Sequence, residues 1–406
     1  MLTTPIQLPC GVKLPNRLAK AAMTERLSNS SFAPTVEHER LYHLWAKSGA
    51  GLLITGNVIV DRVHLESAGN VVFDDEDMLP ALRSWAQAAQ STGNPCWVQI
   101  SHAGRQTNRF STGSPKAPSS VQLRKLGLFG RPIAMTNADI EQVIKGFVRA
   151  AKLAQQAGFS GVQIHSAHGY LLSQFLSPNI NLRNDEWGGS LENRSRLLLT
   201  IIKQIREAVG PEYPISVKLN SADFQRGGFS EEDSLEVVQM LDTEGIDLLE
   251  ISGGTYEKLA FFLMNDEENQ LRESTRKREA YFIDFARKVR EVSKLPLMIT
   301  GGFRSRKFCE EVLANGEVDL IGMARPFITN ANDIADFLAG DVTVLENQIV
   351  RTGLSALEDA AEGGFYARQL IRLAQGKVVN MKMNALWASN FLVLHELRKA
   401  IVNRMG

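Results

Sequence analysis

Two imidazoles and a phenol fall within six positions in His165-Ser-Ala-His168-Gly-Tyr170. Two such rings hold an oxygen between hydrogen-bond donors, and the phenol beside them offers a proton. The cluster closes an apolar, strand-like run and faces a loop. Leu171-Leu-Ser-Gln-Phe-Leu-Ser-Pro follows, and then Asn181-x-Arg183-x-Asp185-x-x-Gly188-Gly189-Ser190-x-Glu192-Asn193-Arg194. The histidines also suit a metal ion, and a metal-dependent lyase or hydrolase is the competing chemistry. Against it, the two histidines lie three apart across a strand end, not four apart on one helix face. No third His, Cys or carboxylate sits at an evident partner position.

Strand alternation brings further polar groups to the same side. In Ile215-Ser-Val-Lys-Leu-Asn220 the apolar Ile215, Val217 and Leu219 share one face, so Ser216, Lys218 and Asn220 share the other. The same parity pairs Gln163 with His165 and Gln99 with Ser101. An ammonium on an inward face needs an anionic partner or a place at the rim. A second site type appears near the end of the pattern. Thr300-Gly301-Gly302-Phe-Arg304 and Gly322-Met-Ala324-Arg325-Pro put backbone amides without an intervening Cβ beside a guanidinium, an arrangement that takes phosphate.

These residues require elements that converge on one mouth. Eight strand-like runs alternate with helical stretches: Arg17–Ala22, Gly51–Val60, Pro95–Ser101, Gly161–His165, Pro214–Asn220, Ile246–Ser252, Pro296–Thr300 and Val318–Met323. Helical patterns run from Ala138 to a stop at Gly158, from Ser190 to Gly210 and from Ser230 to Gly245. Ser230 and Asp233 fit a reciprocal cap. Eight βα units predict a (β/α)8 barrel over residues 1–340, with its chemistry at the C-terminal ends of the strands and a phosphate at the last two loops. A doubly wound sheet for nucleotides lacks its Gly-x-Gly-x-x-Gly after any strand. The connections Ala103–Thr136 and Gly253–Thr275 are long enough to be binding loops. Residues 341–406 read as a helical extension that packs on the barrel or on a neighbouring subunit, so a homo-oligomer is open.

Composition excludes several classes. Lys plus Arg and Asp plus Glu both number 45, which gives no electrostatic pull toward nucleic acid or an anionic membrane. No apolar run approaches the roughly 18 residues of a membrane helix. The first residues show neither a basic start nor an apolar signal core, so a cytoplasmic protein is expected. Cys10, Cys96 and Cys309 are too few and too scattered for a disulfide framework or a four-cysteine cluster.

On the His165–Arg194 stretch, with Leu14-Pro-Asn-Arg17, Ala21-Ala-Met-Thr24, Val98-Gln-Ile-Ser-His-Ala-Gly-Arg105, Lys218, Gly301-Gly302 and Ala324-Arg325, the chain resembles the old yellow enzyme family over roughly residues 5–335. The resemblance implies a barrel with FMN across its mouth, reduced by NADH or NADPH, and reduction of the C=C bond of an α,β-unsaturated carbonyl compound. It implies that Ala22, Met23 and Thr24 flank the flavin, that Gly56 lets the ring approach, and that Gln99 bonds its pyrimidine edge. Lys218 would sit by N1 and O2, the cofactor serving as partner to the inward ammonium. Gly301, Gly302, Ala324 and Arg325 would hold the phosphate. His165 and His168 would hold the substrate oxygen, and Tyr170 would give the proton. Lys218 stands where many members have Arg, and Glu25-Arg26 where some place an aromatic substrate contact. A flavin binder without catalysis is the remaining alternative, and the complete His–His–Tyr set argues against it.

Overall fold

A computed structural model describes residues 1–124, 127–252, 282–346, 348, 350–353 and 355–405. Eight parallel strands close into a barrel in sequence order: β1 Leu18–Lys20, β2 Leu52–Ile59, β3 Cys96–Ser101, β4 Gly161–Ser166, β5 Ile215–Asn220, β6 Leu248–Ser252, β7 Leu297–Thr300 and β8 Leu320–Met323. All eight expected runs form strands, with no end displaced by more than two residues. The expected loop Gly253–Thr275 lies outside the described residues.

Alternation settles which side chains enter the barrel. Val217, Leu219, Leu249 and Ile251 join the large core between sheet and helices. Inside, Leu52, Ile54, Trp97, Leu248, Met298 and Leu320 form a separate apolar plug. An antiparallel pair at the N-terminus, Ile6–Gln7 with Lys13–Leu14, delivers Leu8 and Leu14 to that plug and seals the bottom. The barrel interior is therefore apolar below and polar toward the C-terminal ends.

The helices begin and end where local chemistry places them. Helix Asn137–Ala157 starts at Thr136, whose hydroxyl accepts from Asp139 N while Asp139 bonds back, and stops at Gly158 with φ 90°. Ser190 caps Leu191–Val209 in the simpler way. The reciprocal cap expected at Ser230 is only half present. Ser230 accepts from Asp233 N, but the Asp233 carboxylate turns to Arg194 at 3.3 Å. A buried guanidinium needing a counter-charge outweighs one more capping bond.

After the barrel, helices Ser355–Ala374 and Ala385–Met405 cross so closely that a Cβ on Gly364 would lie 1.9 Å from Ala388 O. The last helix lies on the loops after β1 and β2. Its Glu396 accepts from Ser67 Oγ at 2.6 Å and Ala68 N at 2.8 Å, and pairs with Arg26 at 3.1 Å. Leu386, Trp387, Leu394 and Ile401 of this helix remain exposed.

Candidate active site

A band of buried polar groups crosses β3 to β6 above the apolar plug. Gln99 Nε2 donates to Gln163 Oε1 at 2.8 Å, and Gln163 Nε2 donates to Glu250 Oε2 at 2.8 Å and Ser216 Oγ at 3.2 Å. Lys218 Nζ lies 2.8 Å from Glu250 Oε1. Strand register makes the pair inevitable, because Glu250 is the β6 partner of Lys218 and His165 its β4 partner. The inward ammonium, for which the resemblance implies the cofactor as partner, already has one in a fully buried carboxylate. Leu-Leu-Glu-Ile-Ser carries the signal, an acid at an inward position of an otherwise apolar strand one strand along from Lys218.

Two residues beyond Gln163, β4 delivers His165, and the chain then turns through His168 at φ 59° and Gly169 at φ 74°. A left-handed histidine costs about 1–2 kcal/mol. Both its backbone groups are held to keep it there: its N–H donates to Asn220 Oδ1 at 3.0 Å, and its carbonyl accepts from Gln106 Nε2 at 3.0 Å. Gln174 fastens the same turn, donating to Gly169 O at 2.7 Å and Ala103 O at 3.2 Å. The turn folds three rings together. His165 lies 5.2 Å from His168 and 4.9 Å from Tyr170, edge to face in both cases. Tyr170 then opens the helix Leu171–Leu176.

Tautomers follow from the partners. His165 Nδ1 accepts from Ala167 N at 3.3 Å, so the ring proton is on Nε2. His168 Nε2 shares a 2.7 Å hydrogen bond with Ser252 Oγ, which leaves Nδ1 as its remaining ring atom. Burial, with the neighbouring His168 and Lys218, holds His165 well below the ordinary histidine range. Burial and Lys218 push His168 down to about 3. Both rings are held neutral at pH 7: His165 carries its proton on Nε2, and His168 carries one on Nδ1 when its Nε2 accepts from Ser252 Oγ.

At the β7–β8 end, Gly301 and Gly302 take φ 126° and 81°, and a Cβ on Gly301 would meet nothing within 4 Å. Beside them Arg325 gives one N–H to Glu362 at 2.5 Å, a contact from the C-terminal extension. At the β1–β2 end, Ala22 touches the plug and Met23 the outer core. The Thr24 hydroxyl donates to Asn57 Oδ1 at 2.8 Å, with Glu66 Oε2 at 3.2 Å. Gly56 lies in a register shift of β2, and its absent Cβ makes room for Met23 O and the Glu25 carboxylate, which accepts its N–H at 2.8 Å. The second half of the long motif is scaffold: Arg183 pairs with Asp185 at 2.5 Å, and Arg194 holds Leu176 O and Asp233.

The metal alternative finds no support at His165 and His168. Among the described residues the only tight group of His, Cys and carboxylate is Asp61, His64 and His102, which contains neither. In that group His64 Nε2 accepts from Lys116 N at 3.0 Å and His102 Nδ1 from Gly104 N at 3.0 Å. Each ring therefore carries its proton on the nitrogen facing Asp61, where a ligand would need a lone pair.

Neutral buried histidines make the fold sensitive to acid. His38 is held near 3 and His102 is lowered, both chiefly by burial, as are His165 and His168. In the unfolded chain a histidine protonates at about 6.5. Stability is therefore full above that value and declines as pH falls toward the folded values, by about 1.4 kcal/mol per pH unit for each histidine held neutral. Burial also lowers His395, to about 4, so urea titrations should show the midpoint dropping between pH 7 and 5, with uptake on unfolding rising toward about five protons. A flat midpoint over that window would mean these rings are charged in the folded protein.

Residues 1–336 match the profile of a family described as NADH:flavin oxidoreductase / NADH oxidase. The chain is 37% identical over 349 residues to the NADH-dependent flavin oxidoreductase iliE of Hypocrea jecorina, covering 80% of this chain and 86% of that one. It is equally similar to iliE of a Neonectria species, of which it spans 45%. An NADH oxidase of Thermoanaerobacter brockii is 34% identical, with 78% of this chain and 47% of that one covered. Among solved structures, the old yellow enzyme homologue from Zymomonas mobilis superposes with a TM-score of 0.71 at 23% identity, over 86% of this chain and 95% of that one.

Proposed function

The chain belongs to the NADH:flavin oxidoreductase / NADH oxidase family, and from that premise we propose that it is an FMN-dependent ene-reductase that uses NADH or NADPH to saturate the C=C bond of α,β-unsaturated carbonyl compounds. One observation carries the reading: the ring trio His165–His168–Tyr170 is folded onto the C-terminal side of a buried Gln99–Gln163–Glu250–Lys218 band.

The residues fit FMN. Gly301 opens onto free space with its backbone in the left-handed region, and Arg325 keeps N–H groups beyond the one given to Glu362. With Gly302 and Ala324 they would hold the phosphate. Gln99 and Lys218 would meet the pyrimidine edge, with Ala22, Met23 and Thr24 along the opposite side and Gly56 behind them, its open side filled by Met23 O and Glu25. When bound, FMN supplies hydride chemistry: it accepts hydride from NAD(P)H and donates hydride to the substrate β-carbon.

This chain's own residues do the rest. The His165 Nε2–H and the His168 Nδ1 side receive the substrate oxygen, and neutral donors there stabilise the enolate charge that builds during hydride arrival. Tyr170, set against His165, gives its phenolic proton to the α-carbon. Asn220, Gln106 and Gln174 keep the turn from relaxing. Purified protein is expected to be yellow, with one FMN per chain released on denaturation. Arg325→Ala should weaken FMN retention about tenfold to a hundredfold, the usual worth of a charge-assisted phosphate contact. Colourless protein that takes up no added FMN would refute the proposal.

A further inference from the structure

Glu250 is the one fully buried acid in the polar band, and it touches both arms of that band: Lys218 on one oxygen, Gln163 on the other. A carboxylate only accepts, so Gln163 must turn its NH2 toward β6, where Ser216 Oγ also receives it. Its carbonyl is then forced toward β3 and takes the Gln99 NH2. The orientation of the Gln99 amide is thus dictated two side chains away, by a group that cannot donate. The same carboxylate sets the local charge. Lys218 with Glu250 is a balanced pair, whereas Lys218 alone is a cation in the barrel.

We propose that Glu250 is a positioning residue of the flavin site, which fixes the end of the Gln99 amide presented to the pyrimidine edge and limits the positive charge that Lys218 presents there. This rests on the placement of FMN above. Lys218 favours the reduced, anionic form of a flavin next to it, and Glu250 opposes that preference. The chain therefore holds its flavin at a lower potential than Lys218 alone would give, which strengthens hydride donation to a carbon acceptor.

Glu250→Gln tests both effects in one isosteric change. Its amide can satisfy Lys218 only with its oxygen, and then faces Gln163 with an N–H, so Gln163 and Gln99 must turn over. The measurement is the two-electron midpoint potential of bound FMN, with the Kd of oxidised FMN from fluorescence titration of the apoprotein. Expected for E250Q is a potential raised by at least about 30 mV, a tenfold change in the ratio of reduced to oxidised binding. If E250Q does not fold, K218M and K218M/E250M make the same comparison, since a buried pair tolerates joint apolar replacement. Removing Glu250 in the absence of Lys218 should again raise the potential. An unmoved potential in a variant that binds FMN with parental affinity would overturn the role of Glu250 and leave the site intact. Failure of the parent apoprotein to bind FMN would instead overturn the site.

Discussion

Tyr170→Phe should leave reduction of bound FMN by NAD(P)H nearly unchanged and should slow its reoxidation by an enone on the order of 10²–10⁴-fold, the worth of a positioned general acid. The asymmetry follows from where protons are needed. Hydride transfer from a nicotinamide requires none, whereas saturating the alkene requires one at the α-carbon. Phenylalanine keeps the edge-to-face packing on His165, whose ring centroid lies 4.9 Å away, so the turn and the neighbouring donors should survive. Reoxidation by oxygen or a quinone should persist, because neither needs a proton delivered to carbon. Stopped-flow measurement of the two half-reactions checks this directly. Equal slowing of both would make Tyr170 a structural residue, and no slowing with enone would assign the proton to another group or to water.

Replacing His165 and His168 together by Ala should lower enone reduction by at least about 10²–10³, the usual cost of losing one oxyanion donor. The double variant should also lose about 10²-fold or more in affinity for phenols, since a phenolate places its oxygen where the enolate oxygen forms and two hydrogen bonds to a charged group vanish. Titrating para-substituted phenols into the oxidised enzyme and following the flavin spectrum measures that loss. Because both rings are neutral, the parent's phenol affinity should follow ionisation of the phenol and show no step at the ordinary histidine value. A double variant that titrates like the parent would place the oxygen site elsewhere.

Much of this arrangement was legible in the chain because it depends on period-two alternation. Eight apolar runs became eight strands, and Gln99, Gln163, His165 and Lys218 all face inward as parity required. What escaped was set by contacts between distant segments. Glu250 is recognisable as an oddity in its strand, but its pairing with Lys218 depends on the β5–β6 register, which no local signal contains. The left-handed turn at His168 is not a preference of histidine; Asn220, at the end of β5, and Gln106, in the connection after β3, impose it. Gly56 illustrates a different limit. A glycine in a strand announces a close approach, yet here Met23 and Glu25 are the groups that approach. The loop after β1 is held by Glu396, 370 residues along the chain from Arg26, a contact that composition and periodicity cannot suggest.

The proposed reaction delivers hydride to the β-carbon of a carbonyl-activated alkene. Its most direct test is a single anaerobic mixing experiment, in which stoichiometrically NADH-reduced enzyme meets a simple cyclic enone and both flavin absorbance and products are recorded. The expected result is full return of the oxidised flavin spectrum with one saturated ketone formed per flavin. The β-hydrogen should carry deuterium when the flavin was reduced with labelled NADH, and the α-hydrogen should come from solvent. Enzyme that stays reduced with every enone offered, yet is reoxidised at once by oxygen or a quinone, would contradict the account and leave a flavin oxidoreductase of another kind.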